Sequence, residues 1–364
     1  MDPLFLPADA APAPGAEIAS EPPRSAPAPR SSPGPLVDAF GRAAANLRLS
    51  VTDRCNYRCV YCMPEQGVPW LPKGEVLSYE EMLRLVSVLA GLGVRKVRVT
   101  GGEPLVRRDV PWLVRRLREV RGLADLSLTT NGFHLADQAR DLFDAGLRRL
   151  NVSLDTLRPE RYRQINRVDG FACVMRGLAA AEAAGFRPIK VNAVLMPGLN
   201  DDEVLDFATL ARTRPITVRF IEFMPMDGGT LWSSDKVVSG REVRERIAAV
   251  FPLEPMPGDD PHAPARTYRF VDGAGEMGFI NPMSEPFCMQ CDRIRLSAAG
   301  EFRTCMFQAH GVDLKTPLRM GAGDEQIASL ICEAVRRKER GGCLDIRDGM
   351  PPHPTRLSMS QIGG

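Results

Sequence analysis

Six of the chain's nine cysteines fall into two tight groups: Cys55, Cys59 and Cys62 at C-x3-C-x2-C, and Cys288, Cys291 and Cys305 at C-x2-C-x13-C. Three thiols on one short loop can converge on a soft metal centre, but they are too few to close a tetrahedral all-cysteine zinc site. A cubane iron–sulfur cluster held by three thiolates leaves its fourth iron open to a small molecule. A zinc knuckle completed by a distant ligand is the competing reading of the first group. At the second group the competitor is a zinc ribbon closed by Cys332 or Cys343. Cys173, Cys332 and Cys343 otherwise read as core or surface thiols. Arg293 and Arg295 stand at alternate positions just after Cys291. On a strand both would project to one side, and two guanidiniums beside an open centre would grip an anionic ligand.

Composition narrows the field. The 364 residues carry 47 basic and 45 acidic side chains, so bulk charge gives no case for nucleic acid as a partner. Clustered cysteines in an odd total argue for metal and a reducing compartment rather than a disulfide framework, and a cytoplasmic location is expected. His134, His262, His310 and His353 stand at no metal-ligand spacing. No apolar run reaches the ~18 residues of a membrane span. Residues 1–45 are rich in Ala, Pro and Ser and are predicted to form a disordered tail. With Asp2, Asp9, Glu17 and Glu21 and no apolar core, that tail is unlike a secretory or organellar leader.

The elements that must position these groups follow from Leu47 onward. Strands are predicted at 47–53, 96–100, 126–130, 149–154, 189–195 and 216–222, with helices between them. Ser78 and Glu81 form a capping box, and Asn200 is expected to cap the helix before the sixth strand. Six βα units in a row imply a parallel sheet with right-handed crossovers. The predicted fold is α/β: a partial (β/α)6 TIM-type barrel over 46–240, with a C-terminal α+β extension over 241–364. The cysteine loop and Gly101-Gly102-Glu103-Pro104 both fall at C-terminal strand ends, where such folds keep their chemistry. Gly273 to Gly278 satisfies G-x-G-x-x-G but opens no helix, so it is read as a hairpin turn rather than a dinucleotide site.

With Tyr61 before its last cysteine, the first loop resembles the signature of the radical S-adenosylmethionine (radical SAM) enzymes. That resemblance implies that the open iron chelates the methionine moiety of S-adenosyl-L-methionine. It also implies that Tyr61 packs near the adenine and that Gly102 holds the methionine amino group. Ser153 would touch ribose or carboxylate, and Met224 would offer a backbone contact to adenine. Adding the second triplet, Cys291-Asp-Arg-Ile-Arg295 and the terminal Gly363-Gly364, the span from Leu47 to Gly364 resembles the GTP 3′,8-cyclases of molybdenum cofactor biosynthesis.

The implied cofactors are two [4Fe-4S] clusters and S-adenosyl-L-methionine. The implied substrate is GTP, converted by a 5′-deoxyadenosyl radical to (8S)-3′,8-cyclo-7,8-dihydroguanosine 5′-triphosphate. Arg48, Arg98, Thr129 and Lys190 match the family's triphosphate contacts. Arg293 and Arg295 match both substrate and catalytic positions, and Gly363 and Gly364 would reach into the active site. A flavodoxin- or ferredoxin-type reductant and a downstream pyranopterin monophosphate synthase follow as partners, and the resemblance leaves room for a homodimer. Two alternatives stay open: a radical SAM enzyme whose auxiliary cluster serves a peptide or another small molecule, and a non-enzymatic zinc scaffold.

Overall fold

The computed structural model describes residues 35–226, 231–258, 260–349 and 359–362. Its first six strands are β1 Asn46–Ser50, β2 Lys96–Thr100, β3 Asp125–Thr130, β4 Arg149–Ser153, β5 Ile189–Leu195 and β6 Ile216–Glu222. The extension adds β7 Leu253–Pro255, β8 Arg266–Phe270, β9 Glu276–Ile280, β10 Arg293–Leu296, β11 Glu301–Arg303 and β12 Val312–Asp313. All belong to one sheet, ordered β12-β11-β10-β1-β2-β3-β4-β5-β6-β9-β8-β7. The strands from β10 through β1 to β6 and on to β9 run parallel. The architecture is the partial TIM-type barrel with a C-terminal extension. The extension flanks both sides of the barrel's sheet, β9 beside β6 and β10 beside β1.

Side-chain parity gives these strands two unlike faces. Parallel strands covered on both sides usually read as unbroken apolar runs. On β5, by contrast, Ile189, Val191, Ala193 and Leu195 are buried in the core shared with the flanking helices, whereas Lys190, Asn192 and Val194 point the other way. Leu47 and Leu49 on β1, Val97 and Val99 on β2, and Leu150 and Val152 on β4 repeat the pattern. The residues alternating with these, Arg48, Arg98, Ser153 and Lys190 among them, therefore face a lumen rather than that core.

Local signals explain the connections. Ser78 and Glu81 close the expected capping box: Ser78 N–H donates to Glu81 Oε2 at 2.7 Å and Glu81 N–H to Ser78 Oγ at 3.1 Å, opening the helix Tyr79–Gly91. The glycine-rich stretch 273–278 runs from the turn of an antiparallel β8–β9 hairpin, where Gly273 has φ 76° and Gly275 φ 131°, into β9, which holds Gly278. Asn200 departs from its expected role. It stands at the start of a single helical turn, Asp201–Glu203, but its side chain caps nothing: Oδ1 accepts from Met196 N–H at 2.8 Å, Nδ2 donates to the carbonyls of Asp155 and Val194 at 2.7 and 2.8 Å, and the α-helix proper begins at Val204.

Residues 35–45 depart from the expected disordered tail. Leu36 and Ala44 are buried, and Arg42 pairs with Asp38 at 2.6 Å while both are nearly inaccessible. Averaged composition hid two apolar anchors and one ion pair in a Pro/Ala-rich stretch.

Candidate active site

The first cysteine group occupies the loop after β1, held by the turn after β2. A Cβ on Gly102 would lie 2.3 Å from the Arg54 carbonyl oxygen, and one on Gly101 2.7 Å from that of Thr52. These glycines are thus required for the turn to press on the cysteine loop. Gly102 N–H already donates to Thr52 O at 2.7 Å, which leaves its carbonyl as the group it can offer. Glu103 pins the turn from below, accepting from Leu105 N, Thr130 Oγ1 and Asn131 N at 2.9, 2.7 and 2.6 Å. Burial raises that carboxyl to about 7.

Tyr57 N–H donates to Cys55 Sγ at 3.4 Å, and the Cys59 thiol donates to Asn166 Oδ1 at 3.0 Å. The backbone N–H of Ser360, in the short helix Met359–Ile362, reaches Cys62. Burial first, and then neighbouring thiols and carboxylates, push Cys55 up to about 11 and Cys62 to about 12, with Cys59 also well raised. Such thiols stay neutral until a cationic metal centre displaces their protons. Among the described residues no three His, Cys, Asp or Glu side chains are drawn in tightly enough to grip a single ion. Three free thiols of this kind suit the wider cage of an iron–sulfur cluster.

The lumen carries an unusual concentration of cations. Arg295, Arg48 and Arg98 lie side by side in register across β10, β1 and β2, and all three line one cavity. Burial and mutual repulsion depress them: Arg98 and Arg295 to about 10, and Arg48 well below its ordinary value. Among the described residues Arg48 has no ion-pair partner. Lys190 stands on the same face of the sheet without lining the cavity. Burial, then Arg219, Arg149 and Arg98, lower its amine to about 8. Thr129, Ser153, Tyr61 and Met224 line the cavity, as does Arg293; Gly102 and the first three cysteines do not.

Sequence reasoning missed several lumen residues. Arg219 on β6 lines the cavity, and its Nε donates to Asn192 Oδ1 at 2.9 Å. Gly278 on the adjacent β9 leaves it room, since a Cβ there would lie 2.8 Å from Arg219 Cγ. Asp155 also lines the cavity, accepting from Tyr61 OH at 2.8 Å and from Val194 N at 2.9 Å. Strand parity was the available signal: both residues share a face with positions already singled out. Gly363 and Gly364 lie outside the described residues.

The second group, Cys288, Cys291 and Cys305, lines the same cavity as Arg48, Arg98 and Ser153. Arg293 and Arg295 do sit on one strand with the same facing, and Arg293 Nε donates to Cys291 Sγ at 3.3 Å. Cys343, read from the sequence as a core or surface thiol or as the closing ligand of a zinc ribbon, is buried beside the second group. It lines this cavity too, because the turn before the helix Gly342–Arg347 folds back onto the cysteines, so that a Cβ on Gly341 would lie 2.7 Å from Cys288 Sγ. Burial opposes ionisation of Cys291, but Arg293 and Lys338 hold it below its usual value. Burial raises Cys305. The three thiols with a cationic neighbour fit an iron–sulfur cluster as well, and the site differs from the first in having Arg293 and Lys338 close by where the first has Glu103 and Asp155.

Comparison with known proteins adds relatives to this geometry. Residues 49–211 match the model of the radical SAM superfamily, and residues 216–343 match the C-terminal model of molybdenum cofactor synthesis. A GTP 3′,8-cyclase of Moorella thermoacetica is 46% identical over 329 residues, covering 90% of this chain and 100% of the relative. A mitochondrial GTP 3′,8-cyclase of Arabidopsis thaliana is 44% identical over 313 residues, covering 85% of this chain and 80% of the relative. Among solved structures, Streptococcus suis SuiB bound to S-adenosylmethionine aligns with TM-score 0.57 at 14% identity, over 86% of this chain and 77% of that one. At that identity it supports the fold alone.

Proposed function

The chain belongs to the radical SAM superfamily and, within it, to the GTP 3′,8-cyclase family, and we propose that it carries out the reaction those relatives are named for. GTP would be converted, with S-adenosyl-L-methionine as the radical source, to (8S)-3′,8-cyclo-7,8-dihydroguanosine 5′-triphosphate in molybdenum cofactor biosynthesis. The observation that carries this is one cavity lined both by Tyr61, Ser153 and Met224 and by the second cysteine group, with Arg48, Arg98 and Arg295 between the strands that supply them. Buried cations that depress one another are costly until a polyanion neutralises them, and a triphosphate is such a polyanion.

The roles of the chain's own residues follow. Cys55, Cys59 and Cys62 are proposed to hold one [4Fe-4S] cluster, and Cys288, Cys291 and Cys305 a second. Held by Cys55, Cys59 and Cys62, such a cluster would supply the one-electron reduction that cleaves S-adenosylmethionine. Tyr61, Gly102, Ser153 and Met224 are proposed to orient that cofactor, with Asp155 fixing the Tyr61 hydroxyl. Arg48, Arg98, Thr129 and Lys190, joined by Arg219, bind the triphosphate, while Arg293 and Arg295 place the guanine end near the second centre. Enclosure by the sheet keeps water from the reacting carbons. The division of labour between 46–240 and 241–364 belongs to the same proposal. So do a flavodoxin- or ferredoxin-type reductant, delivery to a pyranopterin monophosphate synthase, a homodimer and a cytoplasmic location. No described helix is long and apolar enough to cross a membrane.

The test is isotopic. Reconstituted protein, reduced with S-adenosylmethionine and GTP deuterated at ribose C3′, should yield deuterated 5′-deoxyadenosine and a cyclised nucleotide. Label arriving from another position would overturn the assigned abstraction site.

A further inference from the structure

The parallel ladder between β6 and β9 ends at the pair Ile221 and Ile280, and beyond it no strand pairing holds the two segments to each other. Glu222, the last residue of β6, takes over that task. Its carboxylate is buried and accepts hydrogen bonds from two other segments: Met283 N–H and Ser284 N–H donate to Oε2, both at 2.9 Å, while Gly240 N–H at 3.1 Å and the Ser284 hydroxyl donate to Oε1. The helix Gly240–Ala248 has to begin on a glycine here, because a Cβ at 240 would lie 1.9 Å from Asn281 Oδ1. Three N–H donors and a hydroxyl thus converge on two oxygens, a set that suits a carboxylate and that a carboxamide cannot match.

This joint lies between the two ends of the cavity. Two residues past Glu222 stands Met224, and four residues past Ser284 stands Cys288; Glu222, Met224, Pro282 and Cys288 all line the one space. On its other side the strand end is held by Trp232, whose Nε1–H donates to Phe223 O at 3.0 Å. The carboxylate therefore fastens the wall that carries Met224 to the stretch that leads into the second cysteine group. In the reaction proposed above, the 5′ carbon of one ligand must meet the ribose C3′ of the other, and a misplacement of about 1 Å at such a contact can cost up to about 100-fold in rate.

We propose that Glu222 is a positioning residue that sets the spacing between the S-adenosylmethionine half of the site and the GTP half while touching neither ligand. The inference rests on the reading of the chain as a GTP 3′,8-cyclase and deepens it: each half binds its own ligand without Glu222, and the carboxylate makes the two ligands meet. A glutamine at 222 keeps the shape but turns its NH2 toward at least one of the three N–H donors, leaving a buried donor unpaired. Ser284→Ala removes a single contact and leaves the carboxylate and its N–H partners in place.

The test uses the full-length reconstituted protein beside two variants, Glu222→Gln and Ser284→Ala. Before either ligand is added, backbone amide exchange over residues 281–285, read by mass spectrometry, should be about 10-fold faster in Glu222→Gln than in the parent. S-adenosylmethionine alone and GTP alone should each bind both variants within about 2-fold of the parent, since neither half of the site is altered. With both ligands and reductant present, the 5′-deoxyadenosine formed per cyclised nucleotide should rise about 3- to 30-fold in Glu222→Gln and by a smaller factor in Ser284→Ala. A parental ratio in Glu222→Gln would overturn the proposal, as would unchanged exchange. Weaker binding of either ligand alone would overturn it too, by making Glu222 part of one half of the site. Should Glu222→Gln fail to fold, the ratio in Ser284→Ala settles the matter, raised in support or parental against. A parent that forms no cyclised nucleotide from GTP would instead overturn the proposed reaction itself, before position 222 is touched, and this inference with it.

Discussion

Crowding by like charge sets the lumen arginines apart from the rest of the chain's arginines. Arg149 pairs with Asp125, and Arg161 with Asp202 and Glu203, whereas Arg48, Arg98 and Arg295 are lowered first by burial and then by neighbouring arginines. Lys190 is the member of this set that titrates near neutrality. Burial and then its cationic neighbours hold it at about 8, so it is charged at pH 7 and loses its proton as pH rises through that value. GTP binding should therefore weaken between pH 7 and pH 9, by up to about 10-fold for the loss of one charge-assisted contact. Lys190→Gln should bind GTP more weakly at pH 7 and show little of that pH dependence. Equilibrium binding of GTP across the pH range, with both proteins, checks this.

The same cation field is shaped by its strands. Arg219 reaches the cavity because β9 presents Gly278 opposite it, and a side chain at 278 must push on the arginine's stem. Gly278→Val should displace the guanidinium from Asn192 and raise the KM for GTP about 3- to 30-fold while leaving the melting curve close to that of the parent. Steady-state kinetics beside a thermal melt would reveal any purely structural effect.

Strand periodicity made β1 to β6 legible before any coordinates, and motif spacing did the same for both cysteine triplets. β9 and β10 were not legible as neighbours of β6 and β1, because a parallel pairing between distant segments leaves no local mark on either. For Arg219 strand parity marked the face but not the room to occupy it, which depends on the glycine across the sheet. Cys343 was named only as one of two thiols that could join the second group, and what sets it apart from Cys332, proximity to Cys288, comes from the turn at Gly341-Gly342 and not from spacing along the chain. Asn200 was misread because a good capping residue at a helix start can spend its side chain elsewhere. Its Oδ1, the atom a cap would use, accepts from Met196 N–H at 2.8 Å instead of from the helix.

At the scale of the molecule, the second centre is fastened by segments far apart in sequence. Arg42 Nη1 donates to Cys288 O at 2.8 Å and to Arg340 O at 2.7 Å, and its Nη2 to Glu339 O at 2.6 Å. Lys338 Nζ donates to Cys291 O at 2.8 Å. One guanidinium thus binds the loop that begins the cysteine group to the stretch leading into the Gly341-Gly342 turn. Anyone shortening this gene product for study would be drawn to start at residue 46, where the amino-acid bias ends and the barrel begins. That cut would discard the rivet with the apparent packaging. A version starting at 46 should lose iron from the second centre faster on exposure to a chelator than one starting at 35, with the first centre's share unchanged, and timed iron release from the two would decide it.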